Sequence, residues 1–179
     1  MTQIYTENIV SLEIAKKEEL SKFKRDLQES FAVAVIETFG SVSAGPIPSD
    51  KDIDESFNTP GAVIYHILSN GKKVGGAVVV IAETTQHNSL DFLFICKNEH
   101  SHGAGYKAWK AIEEKHPETK VWETHTPYFE KRNIHFYVNK CGFKIVEYLN
   151  KHHLGSFASD DKELPGGEDF FRFEKVMKI

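Results

Sequence analysis

Apolar residues in the first third of the chain follow the period of a strand and then that of a helix. IVSLEIA, at positions 9–15, places Val10, Leu12 and Ile14 at every second position and predicts a short strand. A first helix follows this strand and ends at the loop GSVSAGPIPSD. SDKDIDESFN predicts a second helix, capped by Ser49 or Asp50. The first helix is predicted from apolar residues three or four positions apart, with Lys and Glu between them: Leu20, Phe23, Leu27, Phe31 and Val35.

The middle of the chain predicts three strands. GAVIYHILSNGKKVGGAVVVIAE has two apolar runs joined by Asn70-Gly71, a pair typical of a tight hairpin turn. HNSLDFLFICK predicts a third strand. Apolar residues occupy both of its faces, so we expect a central strand that is buried on both sides. One face is predicted to carry Leu90, Phe92, Phe94 and Cys96, and the other Leu93 and Ile95.

Helices and strands alternate in the remainder of the sequence. A helix with Gly105, Ala108, Trp109 and Ile112 on one face is predicted to stop before Pro117. KVWETHT, FKIVEYL and FFRFEKVMKI predict strands, and PYFEKRNIHFYVNKC predicts a helix with Gly142 as its C-cap. The order is that of one mixed α/β domain over residues 1–179, with a strand–helix–strand–helix–strand centre.

Composition narrows the class of protein. The 179 residues are 40% hydrophobic and 27% charged, with a formal net charge of −4, which is ordinary for a soluble globular chain without a nucleic-acid surface. No apolar run approaches the ~20 residues of a membrane helix, and the N-terminus lacks the layout of a signal peptide. Cys96 and Cys141 form neither a metal-binding pair nor a disulfide framework. We therefore expect a cytoplasmic protein that uses no metal and binds neither nucleic acid nor membrane.

A glycine turn lies between the third strand and the next helix, in EHSHGAGYKAWKAIEEKHP. Free N–H groups and a positive dipole end make a helix N-terminus a site for anions, and glycine lets the backbone approach a phosphate closely. The turn has neither the Gly-Lys-Ser/Thr of a Walker loop nor the third glycine of a dinucleotide fingerprint. Taken alone it is also compatible with a tight turn that binds no ligand.

Residues 90–143 resemble the GNAT superfamily of N-acetyltransferases. In that family a strand leads into a (Gln/Arg)-x-x-Gly-x-(Gly/Ala) turn and a helix, and residues 100–105 here read HSHGAG. A second family signature is a helix carrying Phe-Tyr-x-x-x-Gly-Phe, which FYVNKCGF at 136–143 resembles. The resemblance implies a central, mixed, mostly antiparallel sheet that is splayed at the cofactor site and flanked by helices.

The resemblance also implies acetyl-CoA as co-substrate. The turn would hold the pyrophosphate, and the pantetheine arm would pair with the end of the central strand. Asn133 and Tyr137 would face the cofactor from the later helix. His100 replaces the usual Gln or Arg, so we expect the backbone amides to bind as in the family and the side chain to contribute less than the usual one, since a neutral His lacks the fixed charge of Arg. The implied cofactor-binding residues are Ile95, Cys96, His100, Ser101, His102, Gly103, Ala104, Gly105, Asn133 and Tyr137.

Acetyl transfer to an amine sets three chemical tasks: the amine loses a proton, the oxyanion needs a donor, and the thiolate needs a proton. A phenol can supply that last proton, and the resemblance assigns it to Tyr137. Many family members use a Glu in the central strand as base, but Phe92 occupies that position here. Its neighbour Asp91 is expected to point to the opposite face. Substitute bases are Glu83, Glu123 and His125, and a base is unnecessary if the amine arrives neutral.

Three classes of function follow from these residues. The favoured one is an acetyl-CoA-dependent N-acetyltransferase acting on a primary amine of a small molecule or peptide. A non-catalytic acyl-CoA binding or sensing domain on the same fold is the alternative, and a nucleotide-binding module is the third. The aromatic closing strand FFRFEKVM is expected to lie at a sheet edge and to pair two copies of the chain as a homodimer.

Overall fold

In a computed structural model of the chain, residues 7–41, 45–99, 103–155 and 169–178 are described. They form one seven-stranded sheet with four helices. The strands are β1 (Val10–Ile14), β2 (Ala62–Ser69), β3 (Lys72–Val80), β4 (His87–Ile95), β5 (Val121–Pro127), β6 (Lys144–Leu149) and β7 (Phe170–Val176). The helices are α1 (Leu20–Phe39), α2 (Asp50–Asn58), α3 (Ala104–Lys115) and α4, which is α-helical over Lys131–His135 and π-helical over Phe136–Lys140.

The sheet has the order β1-β2-β3-β4-β5-β7-β6. All neighbouring strands are antiparallel except β4 and β5, which are parallel because α3 crosses between them. The predicted fold class, a mixed and mostly antiparallel sheet flanked by helices, is confirmed. The one parallel pair among the described strands therefore lies at the centre of the sheet.

Each face of the sheet has its own hydrophobic core. On one face Trp109 of α3 and Tyr137 of α4 pack with Leu90 of β4 and Trp122 of β5. On the other face Phe23 and Leu27 of α1 pack with Ile53 of α2 and with Val78 and Phe94. The helices therefore divide the sheet into an α3/α4 face and an α1/α2 face.

Local sequence signals account for most element boundaries. Asn70 and Gly71 both have positive φ, as the predicted hairpin turn requires. The Ser49 hydroxyl accepts a hydrogen bond from the Asp52 amide and caps α2, and Gly142 follows α4 with φ 82°. The helix before Pro117 ends at Lys115. These predictions are confirmed.

A β-bulge in β4 changes the predicted distribution of its side chains. Val78 of β3 is paired with Phe92 and Val79 with Leu90, so Asp91 is an additional residue in β4. Leu90 consequently packs on the α3/α4 face with Leu93 and Ile95, whereas Phe92 and Phe94 pack on the α1/α2 face. The prediction that Leu90 shares a face with Phe92 was wrong, because simple alternation holds only without a bulge.

The closing strand does not lie at an edge of the sheet. β7 is paired with β5 on one side and with β6 on the other, so the prediction of an exposed edge at FFRFEKVM was wrong. Strand order cannot be obtained from hydrophobic alternation, because an edge strand and an inner strand of this length read alike. Within the described ranges no helix is long and apolar enough to span a membrane.

Candidate active site

The two parallel strands separate soon after they meet. β4 and β5 are paired from His87 and Val121 only as far as Ser89 and Glu123, although both strands continue. Beyond that point, the ends of the two strands lie on either side of a wedge-shaped opening, which we call the splay. The unpaired end of each strand is called the β4 arm or the β5 arm of the splay. The separation predicted at this place is confirmed.

A side-chain hydrogen bond closes the narrow end of the splay. The Thr124 hydroxyl donates to the Leu90 carbonyl over 2.8 Å, one residue beyond the last paired residues. Thr124 is 3% exposed, so this carbonyl is satisfied without water. The Thr124 hydroxyl thus replaces a backbone N–H as the hydrogen-bond donor at the point where the strands part.

The N-terminus of α3 lies beside the β4 arm of the splay. Gly103, with φ 69°, is the N-cap of this helix, and the Lys107 amide makes the first intrahelical bond, to the Gly103 carbonyl. The amides of the residues between them belong to the free first turn, which favours anions. A Cβ built on Gly105 would lie 3.6 Å from the Phe136 ring and 3.9 Å from Ile95. Helix α3, β4 and α4 therefore meet at Gly105.

The backbone of β4 presents polar groups to the splay. The Cys96 amide donates to Val74 of β3 over 2.8 Å, and bonding direction alternates along an antiparallel strand. The N–H and C=O groups of Leu93 and Ile95 therefore point away from β3 and toward the splay. These are the groups that could pair with an extended ligand or stabilise an oxyanion.

Tyr137 reaches the closed end of the splay from α4. Its ring packs against Phe143 and Phe173, with centroids 5.5 and 5.9 Å away, and the residue is 5% exposed. Burial raises the pKa of the phenol well above its usual value, and a hydrogen bond with Thr124 opposes this only in part. Tyr137 therefore stays protonated well above neutral pH and keeps a proton to donate.

Helix α4 contains one residue more than the family signature. FYVNKCGF has four residues between Tyr137 and Gly142, where Phe-Tyr-x-x-x-Gly-Phe has three. The Cys141 amide donates to the Phe136 carbonyl, five residues back, over 3.0 Å, which is the bond of a π-helix. The π-turn absorbs the additional residue, so Tyr137 lies at the splay while Phe143 still packs in the core.

Two polar side chains lie on the α1/α2 face at the same level. The Asp91 carboxylate accepts hydrogen bonds from the hydroxyls of Ser56, over 2.6 Å, and Ser89, over 2.8 Å. Since Ser56 belongs to α2, Asp91 shares the face of Phe92, and the prediction that it points to the opposite face was wrong because of the bulge. On β5, Trp122 and Thr124 are buried toward α3 and α4, so His125 points to the α1/α2 face.

The chain is similar in sequence to the members of one protein family. The model of the acetyltransferase (GNAT) family matches residues 22–143. The chain belongs to the GNAT acetyltransferase family. It is 59% identical over 174 residues to the uncharacterized protein YrkN of Bacillus subtilis strain 168. The match covers 94% of each chain.

Solved structures of low sequence identity share the fold of this GNAT protein. An acetyltransferase of Bacillus subtilis, solved in complex with CoA, is 18% identical, with 96% of this chain and 99% of that chain covered and a TM-score of 0.63. The ribosomal-protein-S18-alanine N-acetyltransferase of Escherichia coli is 12% identical, with 96% of both chains covered and a TM-score of 0.68.

The cofactor residues predicted from the GNAT resemblance are partly assembled at the splay. Ile95, Gly103, Ala104 and Gly105 surround the α3 N-terminus, and Asn133 lies one helical turn before Tyr137. Cys96 ends the same arm, but its side chain packs toward α1 and burial raises the pKa of its thiol. His100, Ser101 and His102 lie outside the described residues.

The predicted bases of the GNAT enzyme lie in different places. Glu83 is exposed in the turn between β3 and β4, at the paired end of the strands. Glu123 belongs to the last parallel pair, and Arg172 donates to its carboxylate over 3.0 Å. His125 alone of the three lies beyond the pairing, on the β5 arm. Among the described residues no group of His, Cys, Asp and Glu is arranged to hold a metal ion.

Sequence reasoning missed Thr124, and it set Asp91 aside because simple alternation placed this residue on the opposite face. The signal for Asp91 was a charged residue inside a strand apolar on both faces, because a bulge can redirect a single side chain within a strand. Thr124 carried no signal, because a Thr on a buried strand face is common.

Replacing Thr124 tests the hydrogen bond that closes the splay. Thr124→Val keeps the shape of the side chain but leaves the buried Leu90 carbonyl without its donor. We expect a loss of about 1–3 kcal/mol in the free energy of unfolding, measured by urea denaturation. Thr124→Ser, which retains the hydroxyl, should lose less. A larger loss in Thr124→Ser than in Thr124→Val would show that the methyl group, and not the hydrogen bond, matters here.

Proposed function

We propose that the protein is a cytoplasmic N-acetyltransferase that transfers the acetyl group of acetyl-CoA to a primary amine of a small molecule or peptide. The observation that carries the proposal is the splay, with the free amides of α3 beside one arm and the Tyr137 phenol at its closed end. Support comes from the solved structures, since one similar acetyltransferase holds CoA and another is named as an alanine N-acetyltransferase.

The residues of the splay fit the parts of acetyl-CoA. A pyrophosphate suits the first turn of α3, where free amides meet the positive end of the helix dipole. The amide groups of a pantetheine arm suit the backbone N–H and C=O groups of Leu93 and Ile95. The thioester then lies toward the closed end of the splay, where a β4 amide can donate to the developing oxyanion.

Direct attack needs no covalent enzyme intermediate. The amine nitrogen forms a bond to the thioester carbon, the C–S bond breaks, and the electron pair leaves with the sulfur. Tyr137 donates a hydrogen bond or its proton to that thiolate. Because burial raises the pKa of the phenol, Tyr137 remains protonated throughout the working pH range and is always ready to donate.

The alternative is a non-catalytic domain that binds or senses acyl-CoA. Phe92 favours it, because the family position that often carries a base has an apolar side chain. A panel of primary amines incubated with acetyl-CoA, followed by release of the free thiol, distinguishes the two. Turnover of any amine above the hydrolysis background supports the enzyme, and binding of acetyl-CoA without turnover of any amine supports the sensor.

Gly105 provides a test of the cofactor site. Gly105→Glu places a carboxylate in the first turn of α3, where it would repel the pyrophosphate. We expect the Kd for CoA, measured by titration calorimetry, to rise at least about tenfold, which corresponds to about 1.4 kcal/mol. Gly105→Gln has nearly the same size without the charge and should weaken binding less. An unchanged Kd in a folded Gly105→Glu protein would place the pyrophosphate elsewhere.

Tyr137→Phe tests the acid while retaining the packing of the ring. The turnover number should fall by ~10²–10⁴-fold, the usual contribution of a general acid, with little change in CoA affinity. Phe143→Leu, which alters a ring packed against Tyr137, controls for a disturbed core and should reduce stability more than turnover. Near-normal turnover of Tyr137→Phe would mean that water or the substrate protonates the sulfur.

We also propose a homodimer. With β7 inside the sheet, β6 is the last strand on that side of the described structure, and its Ile145, Val146 and Tyr148 are each more than 40% exposed. Exposed strand edges with apolar residues favour pairing. Sedimentation should give the mass of a dimer, and Val146→Lys should give the mass of a monomer. A monomer at high concentration of the unmodified protein would contradict the proposal.

A further inference from the structure

We infer that His125 is the general base for the acceptor amine and that the Asp91 carboxylate holds the amine nitrogen from the opposite arm of the splay. The inference rests on the proposed function, because it concerns the amine acceptor of the same site. It places proton removal on the α1/α2 face, opposite the face on which α3 and Tyr137 lie.

The register of the two strands brings these side chains to one level. Ser89 and Glu123 form the last parallel pair, and Asp91 and His125 are each two residues further along their own strand. The bulge turns Asp91 toward α2, as its bond from the Ser56 hydroxyl shows. Both side chains therefore lie on the α1/α2 face, one on each arm, just beyond the point where the strands part.

The surroundings of His125 on this side of the sheet are polar and charged. The apolar cluster formed by α1 and α2 covers β2, β3 and β4 and includes no described residue of β5, β6 or β7. Next to His125, on β7, Arg172 is only partly buried, and its guanidinium donates to Glu123 and Glu174. An amine entering over this polar part of the sheet meets the thioester from the face opposite α3.

His125 has the charge state that a base requires. Burial is the largest effect on its pKa and lowers it below the usual value near 6.5. The nearby charges act in both directions: Arg172 on β7 lowers the pKa, whereas Glu123 on β5, Asp91 on β4 and Glu147 on β6 raise it. The imidazole is therefore neutral at pH 7 and can accept a proton.

The acceptor nitrogen becomes acidic only as it attacks. Formation of the N–C bond places positive charge on nitrogen, and a ring nitrogen of His125 then takes the proton while the C–S bond breaks and the thiolate leaves. A weak base suffices, because the amine attacks in its neutral form, having lost its ammonium proton to solvent, and His125 accepts only the proton of the cationic nitrogen formed in the attack. The proton returns to solvent from the imidazolium after the amide has left.

Asp91 is arranged to bind the amine. An ionised carboxylate has about four acceptor positions, and the hydroxyls of Ser56 and Ser89 use two of them. The two hydroxyls also fix the orientation of the carboxylate. Glu123 is less suited to this role, because its carboxylate is paired with Arg172 and it lies in the last parallel pair.

His125→Gln, with His116→Gln as matched control, tests the base. His116 is also a half-buried histidine whose pKa is lowered by burial, but it lies 3.0 Å from the Tyr65 hydroxyl at the far end of α3. For a primary amine that the unmodified enzyme acetylates, kcat/KM should rise with pH along a limb centred below pH 6.5. His125→Gln should lower kcat/KM at pH 7 by ~10²–10⁴-fold and abolish that limb. His116→Gln should retain the kcat/KM of the unmodified enzyme at pH 7 and the acidic limb.

Two further measurements complete the test. The NMR titration of His125 in the unmodified protein should have the same midpoint as the acidic limb. This measurement tests the base even if His125→Gln does not fold. Asp91→Asn should raise KM for the amine about tenfold, with a smaller change in kcat and no change in the Kd for acetyl-CoA.

The results separate this inference from the proposed function. If the unmodified protein acetylates an amine and His125→Gln keeps the acidic limb, or if the NMR midpoint differs from that of the limb, His125 is not the base and the enzyme assignment stands. If the unmodified protein binds acetyl-CoA but acetylates no amine, the proposed function fails, and the assignment of His125 fails with it.

Discussion

The separation of β4 from β5 is the constraint on which the rest of the site depends. Strands that part inside a protein leave buried N–H and C=O groups, and each unsatisfied group costs about 1–3 kcal/mol. The Thr124 hydroxyl satisfies the first of them, the Leu90 carbonyl. The groups of Leu93 and Ile95 further along point into the splay, where a ligand with amide groups can pair with them. Binding of such a ligand and completion of the sheet are therefore the same physical event.

The two faces of the sheet divide the chemistry. On the α3/α4 face lie the helix N-terminus that favours an anion and a phenol that burial keeps protonated. On the α1/α2 face lie a carboxylate and an imidazole that burial keeps neutral. Because the strands part between these faces, groups from both faces border the splay. A proton donor and a proton acceptor can therefore lie on opposite sides of one bound ligand.

Periodicity was sufficient to predict the elements, and it failed where one residue was added to an element. The hairpin at Asn70-Gly71 and the Ser49 cap follow from local conformational preferences, which the sequence carries directly. The bulge at Asp91 and the π-turn that contains Tyr137 each change the side of the element on which the neighbouring side chains lie. Neither changes the apolar pattern around it. Tyr137 was predicted from family resemblance, whereas the face on which Asp91 lies depends on the pairing of β4 with β3, which no short stretch of sequence specifies.

The position of β7 has a consequence for synthesis of the protein. β5 shares three paired positions with β4 but seven with β7, and β7 begins only at Phe170. The β5 arm of the splay therefore lacks most of its backbone partners until the last described strand has left the ribosome. Contacts so distant in sequence form late, because a long loop must close first. The nascent chain can thus build the hairpin of β2 and β3 early, but both sides of the splay have their backbone partners only after β7 has been synthesised.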